Sequence, residues 1–132
     1  MILLTIGMVY QYPFRDVRHV VDWVNCNNPA RAKSFDISDS ESKEFNENTP
    51  VTWGVLCRTI WAIVKEFHYH KRQAFMFYAL GDMDRRKGIT EIADLLEVSP
   101  RTIRRYVDEV YREIEDELIN IRAIPERPKV LN

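Results

Sequence analysis

The stretch Gly88–Leu118, GITEIADLLEVSPRTIRRYVDEVYREIEDEL, decides how this chain is read. Two runs of apolar residues at helical spacing are separated by a few residues that stop one helix and start another. Thr90 is suited to cap a short first helix in which Ile92, Leu95 and Leu96 face inward. Ala93 falls where the two helices of a helix-turn-helix would cross most closely, and a small side chain there lets the backbones approach. Val98 is the apolar residue of the turn. Ser99 then caps the next helix, and Pro100 takes its first position, where the missing N–H costs nothing. Ile103, Tyr106 or Val107, and Val110 recur at steps of three and four, which predicts a second helix with one buried face. Helix, tight turn and capped helix together make a helix-turn-helix over residues 89–110, whose second helix can enter a DNA major groove with its N-terminal residues forward.

On that second helix Arg101, Thr102 and Arg105 project away from the Ile103/Val107 seam, and Arg104 lies on a flank. An arginine so placed can donate both arms of its guanidinium to guanine O6 and N7, so these three residues are the expected base contacts. Arg85, Arg86 and Lys87, just before the motif, are placed to neutralise phosphates, as is Arg104. Ser99 and the backbone amides behind it could receive a phosphate at the helix N-terminus. The plainer reading is two amphipathic helices with a solvated arginine face. The conjunction of Ala93, Val98, Ser99 and Pro100 with the flanking apolar positions is more specific than any one of them.

Outward from the motif, HKRQAFMFYALGD predicts a preceding helix with Gly81 as its C-terminal stop. Val51–Phe67, VTWGVLCRTIWAIVKEF, is apolar around most of its circumference and reads as a helix buried on several sides, the central one. Phe14, Val17, Val20, Val21 and Val24 recur at helical spacing after Pro13, which sits at a helix start, so residues 1–25 form an N-terminal helical segment. Residues 26–50 are rich in Asn, Ser, Asp and Glu and bury too little to offset their ordering entropy, which reads as a polar loop or linker. Residues 51–123 form the helical core and 124–132 a C-terminal tail. The last helix carries a seam of Ile103, Val107, Val110, Ile114, Leu118 and Ile121, longer than a helix-turn-helix needs. That seam either clasps the N-terminal helix within one chain, the favoured arrangement, or pairs two chains into a homodimer. No strand or hairpin pattern is present, and the fold expected is all-α.

Composition constrains the function. The 132 residues suit one domain with appendages, and the formal net charge of −1 advertises no global preference for nucleic acid. Charge is uneven along the chain, however: Lys65–Arg105 holds nine Lys/Arg against six Asp/Glu, whereas Asp108–Glu117 is mostly acidic. Cys26 and Cys57 fit neither a disulfide framework nor a paired-cysteine zinc site, and reduced thiols point to a cytoplasmic protein. The opening MILLTIGMVY is too short to span a bilayer and reads as a buried segment, so no membrane partner is expected. His68 and His70 lack a third ligand at metal spacing, and no phosphate loop or carboxylate pocket is evident. We expect no metal, no cofactor and no enzymatic activity.

With RQAFMFYALGD before it, TEIADLLEVSPRTIRRYVDEV resembles the C-terminal DNA-binding region of sigma-70 factors, where a helix of the pattern (E/R)xAFxLxY precedes EIAxxLGxSxxTVRR. The likeness covers about Arg72–Leu118. The family carries Gly where this chain has Glu97, at the entry to the turn. The order of segments, an N-terminal Trp-bearing helix, a variable middle and a C-terminal helix-turn-helix, is similar to that of small phage antitermination proteins of the Q type and related late-gene activators. The resemblance implies a transcription regulator that binds double-stranded DNA near a promoter and engages RNA polymerase. The rival expectation is a protein-interaction module that docks RNA polymerase through the same helices without reading DNA.

Overall fold

A computed structural model describes residues 12–26, 51–81 and 86–127. The opening run, most of the 26–50 linker, Arg85 and the end of the tail lie outside the described residues. The described part is all-α, with five helices: α1 (Val17–Cys26), α2 (Trp53–Val64), α3 (Tyr69–Ala79), α4 (Ile89–Leu96) and α5 (Pro100–Asn120). No strand occurs among them.

The helix at the centre is α5, the longest, which touches each of the other four. Its buried residues, Ile103, Val107, Val110, Tyr111, Ile114 and Leu118, form one stripe along 21 residues. The seam is thus filled within the chain: α3 and α4 cover its N-terminal part, and α1 and α2 also pack on it. The expectation that Val51–Phe67 would be the central helix is corrected. On α2 only Leu56, Ile60 and Val64 are fully buried, at steps of four, and Trp61 stands 49% exposed. A helix rich in apolar residues on all sides can still bury only the face it turns to the core.

Local chemistry sets where the helices start and stop. The Thr52 hydroxyl caps α2 by accepting from Val55 N–H at 3.2 Å. His68 caps α3 through Nδ1, which accepts from Lys71 N–H at 3.4 Å. The first helix starts at Val17 and not at Pro13: the Asp16 carboxylate accepts from His19 N–H at 2.9 Å and so occupies the capping position. α3 ends at Ala79 with Leu80 as its C-cap, so Gly81 stands just past the cap, where the expected stop lies, but without the left-handed backbone of a glycine cap. Thr90 does not cap α4. The cap is Gly88, in extended backbone, and Thr90 falls inside the first turn. Leu95, expected inward, is 54% exposed, because the eight-residue α4 turns Ile92 and Ala93 to the core.

The N-terminal segment is fastened at both ends. Phe14 is buried, its N–H donates to Ala123 C=O at 3.2 Å, and its ring meets Trp23 edge-on at 5.7 Å. At the far end of α1, Asn25 Nδ2 donates to Ala79 C=O, and Trp53 Nε1 donates to Val24 C=O at 3.0 Å. These contacts place the segment before and including α1 across the end of α5 and against α2 and α3.

Candidate nucleic-acid interface

The turn between α4 and α5 is three residues, Glu97, Val98 and Ser99. Glu97 adopts left-handed backbone, φ 59° and ψ 40°, at the position where the sigma pattern has Gly. The N–H groups of Glu97 and Val98 both donate to Ala93 C=O, the latter at 3.1 Å, which satisfies a carbonyl that the end of α4 leaves open. Val98 turns its side chain onto the core and anchors the turn. Ala93 is buried at the α4 end of this turn, where its small side chain permits the close approach.

At the start of α5 the Ser99 hydroxyl accepts from Thr102 N–H at 3.1 Å and donates to Thr102 Oγ1 at 2.9 Å. Both hydroxyls are therefore engaged in the cap, and Thr102 is only half-exposed. With Pro100 at the first position and Thr102 N–H already capped, the helix start presents few amides to a phosphate.

Arg101, Arg104 and Arg105 stand at steps of three and one, which puts them on one side of the helix, and all three are exposed. Among the described residues neither Arg101 nor Arg104 is in an ion pair. Arg105, with a side chain 66% exposed, has Nε 3.5 Å from Glu109 Oε1. Exposed Asp108 and Arg112 continue the same side of the helix. Arg112 is a further cation of this face that the motif alone does not point to, although its spacing of seven from Arg105, close to two turns, is a signal the sequence carries.

The loop cations have other engagements. Arg86 donates from Nε to Gly81 C=O at 3.2 Å and pairs with Asp22 of α1 at 3.2 Å, leaving its side chain 24% exposed. Lys87 lies 3.6 Å from Glu91, and its ammonium sits 5.8 Å from the Phe77 ring centre. Together with Arg18, Asp22, Tyr78 and Tyr111, these two residues line a cleft of about 420 Å³. The geometry therefore separates Arg86, a tie between loop and α1, from the open arginines of α5. The pairing of Arg86 with Asp22 joins residues 64 positions apart, and nothing in local sequence signals it.

The exposed surface of α4 is different in character: Glu91, Asp94 and Leu95 of the helix and Glu97, its C-cap, are all exposed. Among the described residues no group of three His, Cys, Asp or Glu is placed to hold a metal ion, and no helix is long and apolar enough to cross a membrane. Burial pushes the Cys57 thiol up to about 11, which leaves it protonated and unreactive near neutral pH. Compared with known protein families, with curated proteins and with solved structures, the chain finds no match.

Proposed function

We propose that the protein is a sequence-specific DNA-binding transcription regulator working in the cytoplasm, with α5 as its recognition helix. The observation that carries this reading is the set of exposed arginines on one side of the first two turns of α5, two of them without an acidic partner among the described residues. Guanidinium groups presented together beyond a tight turn suit the major groove, where they can address guanine edges or flanking phosphates. Arg101 and Arg105 take the base-facing roles, with Arg104 toward phosphate, while Thr102, its hydroxyl engaged in the cap, has at most its methyl group for a base. Lys87 is a secondary phosphate contact. Arg86 acts first as a structural tie. The sigma-like pattern of Arg72–Leu118 narrows the class to regulators that work beside RNA polymerase, of the phage antiterminator or late-gene activator kind.

The test is selection of bound fragments from sheared genomic DNA by the wild type and the Arg101→Ala/Arg105→Ala variant side by side. The wild type should enrich one motif and the variant should lose it. If both enrich the same motif equally, the assignment of these arginines is wrong.

A second reading, a polymerase-docking adaptor that does not read DNA, is favoured by Leu95. An exposed leucine on a short helix that also exposes Glu91 and Asp94 is a surface that a protein partner would cover, and the acidic groups offer no attraction to a DNA backbone. The two surfaces lie on different helices, so both can operate in one molecule.

A further inference from the structure

Of the three arginines on the open side of α5, only Arg105 has an acidic neighbour within ion-pair distance among the described residues. Glu109, one turn further along α5, approaches Arg105 Nε with one carboxylate oxygen at 3.5 Å, and its other oxygen accepts from Lys71 Nζ of α3. Lys71 is well enclosed, with its side chain 17% exposed and its ammonium 5.3 Å from the Phe67 ring centre and 5.6 Å from that of Tyr106. The Arg105 guanidinium lies 5.6 Å from the centre of the same Tyr106 ring. Tyr106 meets His68 edge-on at 5.3 Å, and His68 caps α3. A continuous set of contacts thus runs from the start of α3 to one arginine of the proposed recognition helix.

We propose that Glu109, fixed by Lys71, is a positioning residue that orients Arg105 for base reading, so that Arg105 contributes the sharpest base preference of the three arginines. The inference rests on the DNA-binding reading above. Nε lies toward Glu109, and the two terminal nitrogens of Arg105 have no acidic partner among the described residues, which leaves them available as a fork for guanine O6 and N7. Holding the side chain in advance also reduces the rotamer freedom lost on binding. Among the described residues Arg101 and Arg104 have no such support, so they enter their base and phosphate contacts from a wider range of rotamers. A carboxylate beside a polyanion opposes binding by its charge, so a positioning role gives Glu109 an unusual signature: it lowers general attraction to DNA while sharpening one position of the motif.

The experiment is selection from a random duplex library with wild type, Arg105→Ala, Glu109→Ala and the double variant, alongside affinity for mixed-sequence duplex. Glu109→Ala should lose about fivefold or more of the base preference at the position that Arg105→Ala erases, the lower bound for one bidentate pair. Preference elsewhere in the motif should be kept, and mixed-sequence affinity should hold or rise. In the Arg105→Ala background the loss of Glu109 should change the motif no further. Thermal unfolding identifies a Glu109→Ala protein that fails to fold; Lys71→Met, which leaves the carboxylate in place, must then show the same loss at the same position. The proposal is overturned if Glu109→Ala keeps the Arg105 preference, or if it weakens every position alike. A wild type that binds no duplex overturns the DNA reading itself, and a wild type whose motif depends on Arg105 but not on Glu109 overturns the positioning role alone.

Discussion

Glu97 holds a backbone conformation that L-residues with a Cβ adopt at a cost of about 1 kcal/mol, and it holds it because the three-residue turn into α5 needs a left-handed residue there. Arg122 does the same beyond the end of α5, where its N–H donates to Ile119 C=O and that of Ala123 to Leu118 C=O. Replacing Glu97 with Gly should stabilise the fold by up to about 1 kcal/mol, offset in part by the greater freedom of glycine in the unfolded chain. Urea unfolding of Glu97→Gly checks this, and a marked loss of stability would mean that the Glu97 side chain makes a contribution its geometry does not reveal. Tyr111 gives a second residue-level expectation. Burial raises its phenol from the ordinary 10.0 to about 12, against the opposing pull of the Arg18 guanidinium, 4.2 Å above its ring. The folded state therefore holds this proton more tightly than the unfolded chain does. That contribution is complete below the unfolded value and is lost as pH rises from there through the folded one. Between about pH 9 and about pH 12 the wild type should lose more stability than Tyr111→Phe, as read by urea unfolding at each pH.

At the scale of elements, the second helix of the motif is legible in outline from sequence and the first is not. Ser99, Pro100 and the Ile103, Val107, Val110 spacing carry local information, and α5 begins and faces as that information requires. In α4, eight residues long, Ile89, Ile92, Leu95 and Leu96 cannot all face the core, and the sequence does not tell which will lose. Packing against α5 decides it, and leaves Leu95 outside. The Gly88 cap has no side-chain hydrogen bond to announce it, so Thr90 is the more visible candidate in the sequence. For α2, apolar content suggests burial on several sides, yet only the Leu56, Ile60, Val64 face is covered fully. Among the site residues, the Arg101, Arg104, Arg105 cluster follows from helical spacing, whereas the ties of Arg86 to Asp22 and of Lys71 to Glu109 join distant positions and need the fold. The fastening of the N-terminal segment is likewise non-local. Phe14→Ala, which empties a buried site between α1 and the end of α5, should cost about 3 kcal/mol in unfolding free energy. A loss well under about 1 kcal/mol would show that the segment before α1 adds little to the core.

Across the whole molecule the formal charge of −1 conceals a separation by position. Cations gather at the start of α5, while α4 presents Glu91 and Asp94 outward, and the second half of α5 carries Glu113, Glu115, Asp116 and Glu117, of which Glu115 and Asp116 hold Arg127. Such a layout favours one approach of a polyanion and disfavours others, so on the proposed reading it would orient the molecule on DNA without a large net attraction. It also predicts that binding depends on a small number of phosphates neutralised and falls with added salt in proportion to that number. The measurement that tests the account most directly is the affinity of wild type and Arg101→Ala/Arg104→Ala for mixed-sequence duplex between about 50 and about 200 mM salt. The account predicts that wild-type affinity falls steeply with salt, and that the variant binds more weakly at every concentration. Its slope should be shallower by about 0.9 for the phosphate that Arg104 no longer neutralises, and by about 0.9 more where Arg101, away from its cognate base, meets phosphate on mixed-sequence duplex. Affinity that is absent at the lowest salt, or that is the same in slope and strength for both proteins, would contradict it.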